Sequence, residues 1–573
     1  MEINNQLGYI VIGSYFVFLI LIGAVFKRLN QDENDYFRAG ARGTWWMVGM
    51  SLFMSSISTQ TFIANAGVAY RSGFSIHWIY LVNFVCYMLL ALGVAAWYRQ
   101  ARVTTFAEII RDRFGVSFQQ FFTYYSVVWL IIAGGLGLYM LSRFTQAIFG
   151  FPLEATIVVL TCIVLIYTLA GGNWAVLAAD FLQSLLLFGM AILLAVLCLR
   201  EVGGIGGFFQ AIDAAGLTDE FRMVTPGRED GLYGFEWLIG VTFAQIFGIL
   251  GMMGGHRFFS CKTGTEARKA ALFCGFVSMV GVAVYFIPPM VARLLHDEAV
   301  MAMGGVSPQD VSYAFMSMKL LPEALVPLMA VAMFSAQMST MDTALNANSA
   351  IFVKNGYPAL MRVLGRTPSE DHRFLLGLGR IVTLVIGACL LTASLYFSRQ
   401  AGEAGIFELA FKMGSLFMVP MMLPLFLGIL VRNTPMWAGW VSFLAAFGTA
   451  LLCNWLDMPT FRMVMINSGV GTIVFLLTTI GWDRYPETKK QQLRTFFKQL
   501  HTPIDFETET GKANDAHQMR LVGNLALALA AFVSLFLLLP NAPVERLQIL
   551  CIAIGIGTVG AVLAMLGRIY RQR

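Results

Sequence analysis

Long apolar runs recur along the whole chain and constrain its fold more than any other feature. Hydrophobic residues make up 58% of the 573 residues, and charged residues make up only 13%. A bilayer core of about 30 Å is crossed by roughly 20 apolar residues in a helix. A soluble domain has no single core that would bury so many runs of this kind. The sequence therefore predicts an all-α polytopic membrane protein.

Charged residues and clusters of proline and glycine divide the chain into about 15 predicted spans. They lie near residues 8–26, 44–70, 74–98, 119–149, 153–170, 173–199, 234–256, 270–295, 319–350, 376–397, 404–431, 435–455, 460–481, 520–540 and 545–567. The first run lacks a positively charged start and a small-residue cleavage site, so we expect it to be retained as a span.

The basic residues concentrate in the loops after predicted spans 1, 3, 7, 9 and 13, and Arg257 is one of those after span 7. Because loops rich in lysine and arginine stay in the cytoplasm, this pattern predicts an external N-terminus and a cytoplasmic C-terminus. The net charge of +6 is then explained without nucleic acid. We expect a monomer surrounded by membrane lipid, located in a plasma membrane of the bacterial inner-membrane type.

A polar stretch, FSAQMSTMDTALNANS at 334–349, lies within the ninth predicted span. At about 100° per residue, one stripe of this helix consists of Ala336, Ser339, Thr340, Thr343, Asn346 and Ala347. Hydroxyl groups in membrane helices often bond to the carbonyls of their own helix. Asp342 flanks the stripe, however, and a carboxylate at mid-membrane costs about 3 kcal/mol or more and typically marks an ion path or a paired charge. The cluster therefore favours a cation site.

A second polar interruption occurs in the second predicted span, WWMVGMSLFMSSISTQTFIANAGVAY, where SSIST divides an apolar run. A helix that breaks at mid-membrane leaves backbone carbonyls unpaired. Such carbonyls are ligands for a hard cation such as Na⁺.

Four motifs in this order resemble the sodium:solute symporter family, which includes sodium/galactose, sodium/proline and sialic acid transporters. They are residues 45–70, TTFAEIIRDRFG at 104–115, GGNWAVLAADFLQ at 171–183 and AQMSTMDTALN at 336–346. The resemblance covers roughly residues 8–455 and implies a LeuT-type core of two inverted five-helix repeats. The implied parts are an extra helix and loop in 1–43, repeats in 44–233 and 234–433, and accessory helices in 434–573 with a cytoplasmic loop at 482–519.

The resemblance also implies a sodium site between the broken helix and the polar helix. Its ligands here would be the backbone carbonyls of Met54, Ile57 and Ala336 and the hydroxyls of Ser339 and Thr340. All five are oxygen ligands, which suit a hard cation.

Some family members hold a second sodium ion near an aspartate that matches Asp180 here. Their small hydroxyl residues on the polar helix correspond to Ser339, Asp342 and Thr343. Two nearby carboxylates repel, and a shared cation or proton relieves the repulsion. The alternative is that Asp180 caps or pairs at its helix end while Asp342 faces a polar crevice. We therefore expect one Na⁺ ion as a cofactor, and a second Na⁺ ion if Asp180 and Asp342 share a cation.

In the family that this sequence resembles, the solute lies beside the helix break. The candidates for solute contact are Ser56, Ser58, Thr61, Tyr80 and Phe247. Phe247 is either a mobile gate that covers the pocket from the cytoplasmic side or a packing residue. The hydroxyl groups suit a sugar, a polyol or a zwitterion, and we expect a sodium-coupled symporter of such a small-molecule solute.

Two alternatives remain open at this stage. The first is transport of a carboxylate such as a sialic acid or an amino acid, although Ala133 stands where sialic acid transporters have an arginine that pairs with the carboxylate. The second is a membrane sensor of solutes. An enzyme is disfavoured because the six histidines are dispersed and show no metal-type spacing, and a channel is disfavoured because inverted repeats imply alternating access.

Overall fold

The computed structural model describes most of the chain. The described residues are 8, 10–15, 17–18, 39–170, 173–225, 231–251, 255–303, 307–400, 405–509, 511, 513–539 and 541–572. The predicted first span, 8–26, lies largely outside these residues, although 10–15 are helical.

Helices account for nearly all of the described backbone. In the first half of the chain they are α1 (Trp45–Ser56), α2 (Thr59–Phe62), α3 (Ala64–Ser72), α4 (Ser75–Gln100), α5 (Phe106–Phe114), α6 (Val116–Phe149), α7 (Leu153–Ala170), α8 (Asn173–Glu201), α9 (Gly204–Ala214), α10 (Phe235–Leu250), α11 (Gly264–Tyr285) and α12 (Ile287–Leu295). In the second half they are α13 (Asp297–Met301), α14 (Ser312–Leu320), α15 (Val326–Ile351), α16 (Tyr357–Val363), α17 (His372–Gln400), α18 (Ile406–Leu430), α19 (Ala438–Trp455), α20 (Thr460–Leu477), α21 (Glu487–Leu500), α22 (Phe506–Glu509), α23 (Asp515–Ser534) and α24 (Pro543–Gln572).

Within the described ranges, 11 helices are long and apolar enough to cross a membrane, and the bent pair formed by α1 and α2–α3 makes a twelfth. The other predicted spans correspond to the first run, to α7 and to the polar helix α15. The prediction that one span covers 319–350 is wrong at its start. Leu321 is extended (ψ 146°) because it precedes Pro322, so α14 ends at Leu320 and α15 begins at Val326.

Three arginines that the sequence analysis counted as loop cations are buried: Arg99, Arg113 and Arg257 are 4%, 1% and 1% exposed. Arg99 Nε donates to the carbonyl of Cys261 (2.5 Å), and Arg113 Nε donates to the carbonyl of Gly428 (2.6 Å) at the end of α18. Such cations satisfy carbonyls that loops and helix ends leave unpaired. The end of the bundle that carries loops 101–105, 255–263 and 432–437 is called the basic face below.

The polar helix α15 lies inside the bundle, where it packs on α1, α6, α8 and α17. This packing puts its hydroxyl-bearing side chains against the helix break between α1 and α2, and it positions the candidate site.

Candidate functional site

The break in the second predicted span lies at Ile57 and Ser58. Both residues are extended, and the two halves of the span meet at 54°. Ser58 caps α2 by accepting a hydrogen bond from the Gln60 amide (3.2 Å), which is the usual role of a serine at a helix start. A second irregularity follows at Ile63 (φ −116°, ψ −75°), between α2 and α3. The predicted interruption of this helix is therefore present in the structure.

Thr59 ties the break to α15. Its Oγ1 lies 2.7 Å from Gln337 Oε1 and 3.1 Å from the carbonyl oxygen of Gly137 on α6. The three helices approach closely here, since a Cβ on Gly137 would lie 2.2 Å from Gln337 Nε2. A side chain at this position would require Gln337 to move. Gln337 is the neighbour of Ala336 in sequence, so this contact fixes the polar turn of α15 at the level of the break.

The predicted sodium ligands of α15 occupy one helical turn at this level. Ser339 is 3% exposed, and its hydroxyl makes no hydrogen bond of normal geometry among the described residues, although it faces the Asp180 carboxyl group. Thr340 Oγ1 lies 3.4 Å from the carbonyl oxygen of Ala336. On α1, the carbonyl of Met54 receives a bond of 3.3 Å from the Ile57 amide. These hydroxyl and carbonyl oxygens are held at the level where the span is broken.

Asp180 lies in a buried polar cluster that the sequence analysis described only in part. Its Oδ2 is 3.1 Å from Arg257 Nη2, and both side chains are 1% exposed. The Ser51 hydroxyl donates to the same carboxylate oxygen, and Arg257 Nη2 is 3.4 Å from Ser55 Oγ. The sequence analysis counted Arg257 only as a loop cation and did not assign it to this cluster. Its partner Asp180 is 77 positions away, and no local sequence pattern indicates the pair.

The two other predicted members of a second cation site cannot be placed in this cluster, because the side chains of Asp342 and Thr343 lie outside the described part of the chain. Their backbone belongs to α15. The structure therefore brings Asp180 to Arg257 and towards Ser339, while the proposed pairing of Asp180 with Asp342 stays a prediction.

A central cavity of about 510 Å³ runs from the helix break to the basic face, where Thr104, Phe106 and His256 line it. Four of the predicted solute contacts line it as well, namely Ser56, Ser58, Thr61 and Tyr80. Ala133, at the position of the arginine in sialic acid transporters, also lines it.

Phe247 is placed differently from the other predicted solute contacts. It is 5% exposed, and its ring packs 6.3 Å from that of Phe426, while its neighbours Gln245 and Gly248 line the central cavity. This arrangement agrees with the packing alternative for Phe247.

Two asparagines on the central cavity were missed by the sequence analysis. Asn65 Nδ2 donates to Tyr80 Oη (2.9 Å), which in turn donates to Thr61 Oγ1 (3.2 Å). The Oδ1 atoms of Asn65 and Asn83 are buried and accept no hydrogen bond among the described residues. Helical spacing could have found them, since Asn65 follows Thr61 by four positions and Asn83 follows Tyr80 by three.

Away from the basic face, Asp310 connects α3 to the start of α18. It is 1% exposed; its Oδ2 accepts a hydrogen bond from the Ile406 amide (3.0 Å), and its Oδ1 is 4.0 Å from Arg71 Nη2. A Cβ on Gly67 would lie 1.9 Å from Asp310 Oδ1, so a side chain at this position would displace the Asp310 carboxyl group. Burial raises the pKa of Asp310 to about 6, and the charge of Arg71 opposes that effect.

Comparison with known proteins identifies the family. The model of the sodium:solute symporter family matches residues 36–442. The chain belongs to this family. It is 25% identical over 446 residues to sodium/glucose cotransporter 2 of Rattus norvegicus, covering 70% of this chain and 64% of that protein, and thus just under two thirds of the relative's length. It is 25% identical over 542 residues to sodium/myo-inositol cotransporter 2 of Homo sapiens, covering 86% of this chain and 78% of that one. These relatives are transporters rather than enzymes.

Among solved structures, the chain resembles a Na⁺-coupled sialic acid symporter in its substrate-bound, outward-open state. The TM-score is 0.68 and the identity 19%, over 84% of this chain and 98% of that one. This similarity concerns the fold, and it confirms the predicted all-α, LeuT-type architecture of this family member.

Proposed function

We propose that this family member is a sodium-coupled symporter that imports a small, polar, uncharged or zwitterionic solute by alternating access. The observation that carries the proposal is the turn of α15 at the helix break. There the buried hydroxyl of Ser339 makes no normal hydrogen bond among the described residues and faces Asp180, and the hydroxyl of Thr340 lines the central cavity. Oxygen groups in this position replace the hydration shell of a hard cation. The names of the sodium-coupled relatives support Na⁺ as the coupling ion.

In this proposal the first sodium ion is held by the carbonyls of Met54, Ile57 and Ala336 and by the hydroxyls of Ser339 and Thr340. Membrane helices that are broken at mid-membrane offer such carbonyls, because no water is present to satisfy them. A second cation would involve Asp180 with Asp342 and Thr343, and the charge of Arg257 beside Asp180 weighs against it.

The chemistry of the central cavity supports a neutral solute. Within the described lining there is no lysine, arginine, aspartate or glutamate. A buried carboxylate needs a fixed countercharge, so a sialic acid would lack its partner here. The Oδ1 acceptors of Asn65 and Asn83, unpaired among the described residues, and the hydroxyls of Thr61 and Tyr80 instead match the hydroxyl donors of a sugar or polyol. The glucose and myo-inositol cotransporters among the relatives transport molecules of this class by name.

The remaining features of the proposal concern the membrane. The two repeats are residues 44–233 and 234–433, the N-terminus is outside, and the basic face and the C-terminus are cytoplasmic, as the positive-inside rule predicts. In this proposal the end of the central cavity at the basic face is its cytoplasmic end, from which solute and ion are released.

The ion site is tested with Ser339→Ala in the full-length protein reconstituted into liposomes. Removing one oxygen ligand should weaken the apparent sodium affinity by about tenfold or more, because a hydrogen bond or ligand contact to a charged group contributes about 1.5–3 kcal/mol. Ser335→Ala is the matched control: its hydroxyl lies one turn earlier on α15 and is already bonded to Tyr15 Oη (2.7 Å). Wild-type sodium affinity in Ser339→Ala would remove this site from the proposal.

The solute is tested by thermal unfolding of the purified protein with and without Na⁺. Because a ligand that binds only the folded state raises the melting temperature, myo-inositol or glucose should stabilise the protein more in Na⁺ than in K⁺. Sialic acid should not. Sodium-dependent stabilisation by sialic acid alone would contradict the neutral-solute assignment and would leave the ion site in place.

A further inference from the structure

A second cavity, of about 560 Å³, lies on the basic face and shares no lining residue with the central cavity. It is formed by the loop after α18, by the segment before α21 and by one side of α21. The lining residues that matter here are Arg432, Trp482, Arg494, Phe497, Lys498 and His501. It is called the basic cavity below.

The basic cavity carries an excess of positive charge. Its lining includes Arg432, Arg494 and Lys498, and no carboxylate among the described residues. Arg494 pairs with Glu487 (2.8 Å), but both side chains are 65% exposed, and ion pairs in such positions are weak. Within the described chain, neither Arg432 nor Lys498 forms an ion pair with a carboxylate. Like charges around one cavity repel unless an anion lies between them.

Contacts between lining residues position Arg432, which is exposed, at the edge of the cavity. His501 Nδ1 donates to the carbonyl of Phe497 (2.7 Å), so its Nε2 is left to accept from Arg432 Nη2 (3.0 Å). The Arg432 guanidinium lies 5.9 Å from the centre of the Phe497 ring, and Phe497 is itself buried. An arginine held by a ring and a histidine has less side-chain freedom to lose on binding, and its remaining donors match the geometry of a phosphate group.

We propose that the basic cavity binds a phosphate-bearing anion. Its source is either the headgroup of an anionic phospholipid or a soluble phosphate compound, and both offer the same chemistry to Arg432, Arg494 and Lys498. With a volume of about 560 Å³, the cavity has room for the organic part of such a compound beside its phosphate group. The apolar side of the cavity, Phe497 and Trp482, accommodates that part.

An anion bound in the basic cavity would affect the mouth of the central cavity through one continuous segment of the chain. α21 leads into residues 502–509, where Pro503 accepts from Arg102 Nη2 (3.0 Å) and Glu509 pairs with Arg102 Nε (2.7 Å). Arg102 has a left-handed backbone (φ 57°), which is costly for a residue with a Cβ and is maintained by such contacts. Two residues further on, Thr104 lines the central cavity. An anion that stabilises α21 therefore also stabilises one wall of that mouth.

The test compares Lys498→Gln with Lys489→Gln in the full-length protein, reconstituted into phosphatidylcholine nanodiscs. Both changes remove one positive charge from α21, but nine positions at about 100° each place the two residues on opposite sides of the helix. Both lysines are exposed, but only Lys498 lines the basic cavity. Thermal unfolding is measured in two arms: replacing part of the phosphatidylcholine by phosphatidylglycerol, and adding sodium phosphate against sodium chloride at equal sodium concentration and ionic strength.

We expect stabilisation of the wild type and of Lys489→Gln in one of the arms, with an apparent affinity about tenfold lower in Lys498→Gln because a charge-assisted contact is lost. Stabilisation in the phosphatidylglycerol arm assigns a lipid headgroup, and stabilisation by phosphate assigns a soluble ligand. No stabilisation of the wild type in either arm, or equal stabilisation of the two variants, would overturn the proposal.

Discussion

Replacing Asp180 by asparagine tests two roles of this buried carboxylate, namely pairing with Arg257 and binding a second cation. Asp180→Asn keeps the size of the side chain but removes the carboxylate that lies 3.1 Å from the buried guanidinium of Arg257. Removing one member of a buried ion pair typically costs about 3–5 kcal/mol, because the remaining charge is uncompensated. We therefore expect a large fall in the thermal stability of the purified protein, and a comparable fall for Arg257→Gln.

The double variant Asp180→Asn/Arg257→Gln removes both charges and shows whether the pair is coupled. Residues in direct contact have interaction energies of about 0.5–3 kcal/mol, so the double variant should lose less stability than the sum of the two single variants. Thermal unfolding in detergent at a fixed sodium concentration measures this difference. Strictly additive losses would refute the reasoning, since the 3.1 Å contact would then contribute no coupling.

The sodium dependence of solute uptake in proteoliposomes then shows whether Asp180 only pairs with Arg257 or also binds a cation. If Asp180 is a ligand of a second cation, the Hill coefficient for sodium falls towards one in the double variant, even though the lone charge is gone. If Asp180 only compensates the charge of Arg257, the double variant keeps the sodium dependence of the wild type. Ser51→Ala is the control, because it removes a hydrogen bond to the same carboxylate without changing any charge.

Three further predictions concern other parts of the molecule. Thr61→Ala should raise the KM for the solute more than it changes the sodium dependence of uptake, since its hydroxyl lines the central cavity; the reverse pattern would exclude Thr61 as a solute contact. Asp310 has its pKa raised from 3.8 to about 6, so the folded protein binds a proton more tightly than the unfolded chain, and stability should fall as pH rises from about 4 to about 6. Asp310→Asn keeps an acceptor for the Ile406 amide and should flatten that part of the pH–stability profile, and an unchanged slope would contradict the assignment. Gly137→Ala should destabilise the protein by about 1–3 kcal/mol in denaturation assays, because its Cβ would overlap Gln337; wild-type stability would show that the helices can separate here.

Local features of the sequence were sufficient for the membrane class, the break in the second predicted span and the polar turn of α15. Each depends on residues within one or two helical turns, where hydrophobic periodicity and helix-capping chemistry decide the conformation. The four motifs added the family and, with it, the LeuT-type fold. Ser56, Ser58, Thr61 and Tyr80 were selected from this information, and the structure places all four on the central cavity.

Only the tertiary structure decided which distant groups meet. The pairing of Arg257 with Asp180, the contact of Thr59 with Gln337 and the position of Phe247 behind the cavity wall depend on how helices cross, and helical periodicity carries no information on crossing. The sequence thus determined that these helices enter a membrane and where one of them breaks, because those properties follow from hydropathy and local backbone chemistry. Which polar groups are paired, and which are left free to bind an ion or solute, was decided by packing, because satisfaction of a buried polar group depends on neighbours supplied by other helices.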